Sequence, residues 1–218
     1  MTVTDGVVPP EGWSRRPLRE LCTSIQVGPG GGRPEDKGRT RADGGTPVVL
    51  PRDLRSRRIV PQEAAAVPAI SSERARTLVK YELAQGDVLV TRTGSVGRCA
   101  LVTEEHAGWL FHPNLVRLRL AEEGPVGATY LAAYLSAAVA QDWIRTRTAG
   151  AVIPSLSIRT LGELPVLLPP DAEQKAIGAA LAALDDKIRA HDESARATRA
   201  YRSALADALL NGVLSPEP

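Results

Sequence analysis

Two cysteines, Cys22 and Cys99, are all that the 218 residues contain, and they form no Cys-x-x-Cys pair. A disulfide framework is therefore excluded. Long apolar runs are missing as well: each is broken by charge or proline well short of a membrane span, so none is expected. The opening stretch, Met1 to Trp13, has no basic start followed by an apolar core, which argues against a secretory signal. Together these absences lead us to expect a soluble, intracellular protein. Hydrophobic residues at 43% and charged residues at 24% are ordinary globular values and exclude wholesale disorder. The length suits one domain, or a modest domain with a helical extension.

Lysine is scarce, and the basic charge is nearly all arginine. The net charge of +2 hides an asymmetry, because residues 1–120 hold 18 Lys+Arg against 13 Asp+Glu while the remainder is slightly acidic. Arginine's planar fork reads phosphates and guanine edges better than a lysine point charge. A GC-rich coding sequence would produce the same bias, so the arginine excess alone decides nothing.

The first half reads as strands and loops. Arg15 to Cys22, with Pro17 near its start, predicts a short helix. Gly28-Pro29-Gly30-Gly31-Gly32, on to Gly45, is a glycine-rich charged loop carrying Arg33, Lys37, Arg39 and Arg41. Thr46 to Leu50 predicts a strand, followed by an arginine-dense turn with Arg52, Arg55, Arg57 and Arg58. Val88–Val90 and Cys99–Val102 predict two strands joined by a hairpin-like connection, Thr91 to Arg98. From Leu115 to Leu120, Val116, Leu118 and Leu120 alternate with Arg117 and Arg119, placing the two sets on opposite faces of a strand.

Helical character then takes over. Thr129 to Thr148 is alanine-rich, with Leu131, Leu135 and Val139 four residues apart, and predicts one helix ended by Gly150. Prolines force Leu164 to Pro170 to be extended. Asp171 and Gln174 have capping-box spacing. From Ile177 the apolar positions run through Leu181, Leu184 and Ile188, pass a polar middle at His191, Ala195, Thr198 and Arg202, and resume at Leu205 and Leu209. That four-three alternation is a coiled-coil seam. Asn211-Gly212 suits a helix end, and about forty residues at ~1.5 Å each make a helix of roughly 60 Å, which calls for a partner helix.

Catalytic patterns are largely missing. The Gly28–Thr40 loop lacks the Gly-Lys-Ser/Thr of a phosphate loop. Gly94-Ser95-Val96-Gly97 is a GxxG flanked by strands rather than helices, so it reads as a β-turn whose glycines leave room for a nucleic-acid backbone. Asp171, Glu173 and Lys175 crowd like a nuclease's acidic residues and lysine, but a helix start explains the acids. His106, His112 and His191 lie far apart, without ligands at metal spacing. No Asn-Pro-Pro-aromatic tetrapeptide of amino-methyltransferases and no Ser/His/Asp arrangement is present. The chain reads as non-catalytic, with no cofactor or metal of its own.

Taken in order, several segments resemble the DNA-specificity (S) subunits of type I restriction–modification systems. They begin at Gly12-Trp13-Ser14, Pro17-Leu18 and Leu21-Cys22, and continue through Gly45-Thr46-Pro47-Val48, Asp53-Leu54 and Ile59-Val60. The run Leu83 to Arg98 is similar to the family's Gly-Asp strand and Gly-x-x-Gly turn, and Asn114, Val116 and Arg117 to its following strand. Tyr130-Leu131, Tyr134-Leu135-Ser136, Leu164-Pro165-Val166, Pro169-Pro170, Glu173-Gln174 and Asn211-Gly212-Val213-Leu214 complete the pattern.

The resemblance implies an α/β (α+β) target recognition domain over residues 1–170, followed by a long coiled-coil spacer helix over 171–214. Its function would be to read one half of a bipartite site on double-stranded DNA and to dock the DNA adenine methyltransferase (M) subunit. S-adenosylmethionine and ATP would belong to partner subunits, ATP to a restriction (R) subunit, and the setting would be the bacterial cytoplasm. S subunits of this type carry two recognition domains and two spacer helices, whereas this sequence carries one of each. A homodimer through Ile177, Leu181, Leu184, Ile188, Leu205 and Leu209 is therefore expected, with pairing to a different half as the other arrangement. For DNA contact, Arg15, Arg16, Arg33, Arg39 and Arg41 are candidate phosphate ligands, and Arg52, Arg55, Arg57, Arg58, Arg92, Thr93 and Ser95 sit on turns within reach of DNA. The competing reading is a scaffold or regulatory half-subunit that binds DNA without sequence preference.

Overall fold

The structure, a computed structural model, describes residues 9–30, 39–61, 66–150 and 153–211. The elements in chain order are β1 (Ser14–Pro17), β2 (Cys22–Val27), β3 (Thr46–Val49), β4 (Leu54–Arg55), β5 (Arg58–Ile59), β6 (Ala69–Ile70), α1 (Ser72–Arg76), β7 (Val88–Thr91), β8 (Cys99–Leu101), β9 (Leu110–Phe111) and β10 (Leu115–Leu120). There follow α2 (Ala128–Ser136), α3 (Ala138–Thr148), α4 (Ile158–Gly162), β11 (Pro165–Leu168) and α5 (Asp171–Leu210).

At the centre is an antiparallel sheet of order β2-β10-β7-β8. Side chains alternate across a strand, and both resulting faces are covered here. Val88, Val90, Cys99, Val116 and Leu118 face a core completed by α2, α3 and β11, including Leu131, Leu135, Trp143 and Val166. Leu89, Ala100 and Leu115 face the other way, into a second core with Val49, Leu54, Trp109 and Phe111. The predicted alternation in β10 is present, but the Arg117 side chain on its polar side does not meet water, while Arg119 stays partly exposed. Arg117 is only 3% exposed. Its guanidinium donates to the carbonyls of Lys80 (3.2 Å) and Glu82 (2.8 Å) and to Gln26, and lies 5.8 Å from the Phe111 ring centre.

Around this sheet lie a three-stranded sheet β6-β3-β9, the β4–β5 hairpin and the β1–β11 pair. Two predicted helices are corrected. Residues 15–22 form β1, a single 3-10 turn at Leu18–Glu20 and the start of β2. Pro17 is extended (φ −68°, ψ 143°), because β1 pairs with β11 from Ser14↔Leu168 to Pro17↔Pro165. The alanine-rich helix is two helices broken at Ala137, also extended (φ −72°, ψ 152°). Across the break the Gln141 amide takes up the Leu135 carbonyl and, at 2.9 Å, the Gly97 carbonyl. A side chain thus replaces the helical bond that an unbroken helix would have made.

β11 is fastened to α2 by two phenols: Tyr130 donates to Leu167 O (2.7 Å) and Tyr134 to Pro165 O (2.8 Å). Burial pushes the Tyr130 hydroxyl up to about 12, so it remains a donor across the physiological range. At the start of α5, Gln174 does not form the expected capping box. It is buried and donates to Pro125 O (2.9 Å) and Pro169 O (3.0 Å) while accepting from Gly127 N (3.3 Å). The Pro170 carbonyl opens the helix, taking the Glu173 and Gln174 amides, and Asp171 pairs with Lys175 at 2.7 Å on the exposed side.

The chain forms two compact units, one through Gly178 and one from Ala179 onward. The first two turns of α5 belong to the first unit, where Ile177 packs half-buried against the core. In the second unit Leu184 (56% exposed), Ile188 (50%), Tyr201 and Leu209 line the helix surface, and Arg189 bridges Asp186 and Glu193.

Candidate nucleic-acid interface

The expected DNA-contacting residues separate by where the fold puts them. Arg15 and Arg16 are exposed on β1, opposite Leu167 and Val166 of β11. They precede the Cys22 end of β2. Arg39 and Arg41 lie at the entry to β3. There a 3-10 turn over Arg41–Asp43 is held by the Asp43 carboxylate, which accepts from the Thr40 amide (2.8 Å) and hydroxyl (3.0 Å). Those two bonds keep the Asp43 carboxyl below its ordinary pKa. Arg41 stands 5.3 Å from the Trp109 ring centre. Arg33 lies outside the described residues.

The arginine-dense turn is a hairpin. A 3-10 turn over Pro51–Asp53 leads into β4, and β4 pairs with β5 from Leu54↔Ile59 to Arg55↔Arg58. The two turn residues, Ser56 (φ 47°) and Arg57 (φ 61°), are both left-handed, as a two-residue hairpin with the strands' own twist requires. Buried Asp53 accepts the Leu50 amide at 2.8 Å, and burial pushes its carboxyl above the ordinary value. Arg52 and Arg55 are exposed, with Arg55 Nε bonded to Arg52 O (3.2 Å). Arg57 and Arg58 are half-buried. The Arg57 carbonyl accepts from Leu101 N (3.0 Å), which joins the hairpin to the edge of the central sheet.

Backbone bonds gather several loops at one end of that sheet. Arg92 N donates to Asn114 O (2.9 Å), Leu156 N to Arg92 O (2.8 Å), and Thr93 bridges Ser155. On the neighbouring strands Gly28 N donates to Leu115 O, and His112 N to Val49 O. A Cβ on Gly28 would stand 2.5 Å from His112 O, so only glycine permits this approach. The end of the sheet therefore collects the Arg92–Ser95 turn, the His112–Asn114 turn, the stem of the glycine-rich loop and, one residue past β3, the chain leading to Arg52. Ser95 is exposed there, whereas Arg92 Nε and Thr93 Oγ1 are buried without a hydrogen-bond partner.

The opposite end of the sheet is closed by buried Asp87, which binds Arg119 and accepts from Ala84 N (2.8 Å). Among the exposed arginines that sequence reasoning did not mark are Arg98 on the same turn as Ser95, and Arg145 and Arg147 in α3. Arg145 pairs with Asp142 at 2.9 Å, and Arg147 stacks 3.8 Å from the Trp143 ring centre. The only advance signal for the pair in α3 was the Arg-x-Arg spacing at the end of a helix. Among the described residues no three His, Cys, Asp or Glu side chains are grouped to hold a metal, and no described helix is long and apolar enough to cross a membrane.

The described residues thus form a mixed α/β domain followed by a 40-residue helix. The sequence profile of the type I restriction modification DNA specificity domain matches residues 10–196. The chain belongs to that family.

Solved structures show the same fold. One, described as showing complex assembly and conformational transition of the type I R-M system, aligns with a TM-score of 0.61 at 20% identity, over 94% of this chain and 46% of the other. The HsdS subunit from Thermoanaerobacter tengcongensis aligns at 0.56 and 19%, over 99% and 53%. The S subunit of the type I system from M. genitalium aligns at 0.61 and 13%, over 89% and 45%. The chain thus spans about half the length of these structures. No curated protein sequence matches it.

Proposed function

We propose that this chain is a non-catalytic DNA sequence-specificity subunit of a type I restriction–modification complex. It reads one half of a bipartite site and docks a DNA adenine methyltransferase subunit. The observation that carries the reading is the specificity-domain profile over residues 10–196. Arg15, Arg16, Arg39 and Arg41 suit phosphate contacts, which position a protein on the duplex and set its salt dependence. Arg52, Arg55, Arg57, Arg58 and Arg92 lie on turns suited to base edges, where one arginine–guanine pair contributes about 1–3 kcal/mol of discrimination.

Methyl transfer from S-adenosylmethionine and ATP-driven cleavage belong in this reading to partner subunits, and the site of action is the bacterial cytoplasm. Two copies of the helix pair in this reading through the exposed apolar face of α5, where Leu184 and Ile188 are left half open by their own chain. The complex then presents two identical readers about a two-fold axis.

The test is methylation-aware sequencing of DNA from cells expressing the methyltransferase with and without this chain. A split motif that appears only with the chain is the expected result, palindromic for a homodimer and asymmetric for two different halves. Methylation indifferent to the chain would overturn the reading.

A further inference from the structure

Resting on that reading, we propose that the Gly94–Arg98 tip of the turn after β7 is a sequence-independent clamp on the DNA backbone, separate from the residues that read bases. The inner side of the turn is braced from every direction. Thr91 Oγ1 donates to Ser95 O and accepts from Arg98 N (3.0 Å), and Gly97 N donates to Thr91 O (2.9 Å). Gln141 of α3 holds Gly97 O, Asn114 O takes the Arg92 amide, and Ser155 bridges Thr93.

The two glycines have different tasks. At Gly97 (φ +89°) a Cβ would press on Gln141 at 3.1 Å and Ile144 at 3.3 Å, so this glycine seats the turn on α3. At Gly94 (φ +74°) nothing lies within 4 Å. The tip therefore offers a glycine backbone and the Ser95 hydroxyl to open space, on a support that does not yield. Such a tip carries no long side chain able to enter a groove and distinguish bases. What it does have is exposed Arg98 at its end, and Arg145 and Arg147 of α3 beyond the Ile144 contact; among these, Asp142 is the carboxylate, already paired with Arg145. Rigid, short, polar and flanked by cations, the tip matches a phosphodiester backbone.

The experiment uses the chain assembled with its methyltransferase and measures binding to two duplexes, one bearing the methylated motif and one scrambled, across a range of salt. Arg98→Gln is expected to weaken both duplexes equally, about fivefold, and to make the salt slope shallower by about 0.9, as for one lost phosphate contact. Ser95→Lys is expected to tighten both and steepen the slope by the same amount, with the methylated motif unchanged. Both positions are exposed, so thermal unfolding should match that of the unaltered chain. Unchanged slopes in both variants overturn the proposal. A changed motif overturns it in favour of base reading. Lost methyltransferase association, with DNA binding by the chain alone intact, overturns it in favour of a protein-docking turn. If the unaltered complex does not distinguish the two duplexes, the specificity reading fails, and the slopes still decide on the clamp.

Discussion

Arg119 grips Asp87 with both prongs of its guanidinium, Nε to Oδ1 at 2.8 Å and Nη2 to Oδ2 at 2.7 Å. The carboxylate is 1% exposed, and its Oδ2 also lies 4.0 Å from Arg117 Nε. One buried anion therefore compensates two arginines and, through Ala84 N, fixes the turn that starts β7. Asp87→Ala should destabilise the globular unit by about 2–4 kcal/mol, because it leaves buried Arg117 uncompensated. Arg119→Ala should cost less, since that side chain is 36% exposed. Urea unfolding of the two variants measures the difference.

Acid should weaken the fold through His106. The imidazole is buried, 2.8 Å from Thr103 Oγ1 and edge-on to Trp109 at 4.9 Å. Burial, aided by Arg41 and opposed by Glu105, holds its pKa below the ordinary 6.5. A lowered folded-state value means that the unfolded chain binds the proton more readily. The stability is thus complete above about 6.5 and is lost as pH falls from there through the folded-state value. His106→Gln should flatten the change in Tm between pH 7.5 and pH 5.5, read by calorimetry.

On α5, Leu184→Asp is expected to abolish self-association while leaving the Tm of the globular unit unchanged, because Leu184 is exposed within its own chain. Light scattering should give the mass of a single chain instead of two. Leu181→Asp should do the same, with the recognition domain still folded. Ile177 stands apart, since it packs half-buried against the core of the globular unit. Its replacement by aspartate should lower the Tm as well.

Base reading by the β4–β5 hairpin predicts that Arg52→Gln or Arg55→Gln relaxes the methylated motif at one position, by about 1–3 kcal/mol. Stability should stay within about 0.5 kcal/mol of the unaltered chain, as for exposed surface changes. Methylation sequencing and thermal unfolding together check both halves of that expectation.

Much of this structure was legible in the residue order. The alternation in Leu115–Leu120 marked a strand, proline excluded helix from Leu164 to Pro170, and the four-three spacing from Ile177 marked one long helix. What escaped depended on partners remote in sequence. Nothing local to Arg15–Cys22 shows that β11, some 150 residues later, draws that segment into a strand. The interruption at Ala137 depends on Gln141 reaching Gly97, and the buried state of Arg117 on the carbonyls of Lys80 and Glu82. For the candidate interface, composition identified arginine-bearing turns. It could not show that Arg92, Asn114, Ser155 and Gly28 meet at one sheet end, because that meeting is made by hydrogen bonds between separate loops.

The central sheet is covered on both faces, by different cores. Drift in its strands therefore has to satisfy two packing surfaces at once, whereas exposed side chains such as Arg52, Arg55 and Ser95 answer to neither. If the β4–β5 hairpin reads bases as proposed, new targets come from exchanging exposed side chains such as Arg52 and Arg55 while the sheet is kept. The paired cores hold the scaffold constant beneath such exchanges.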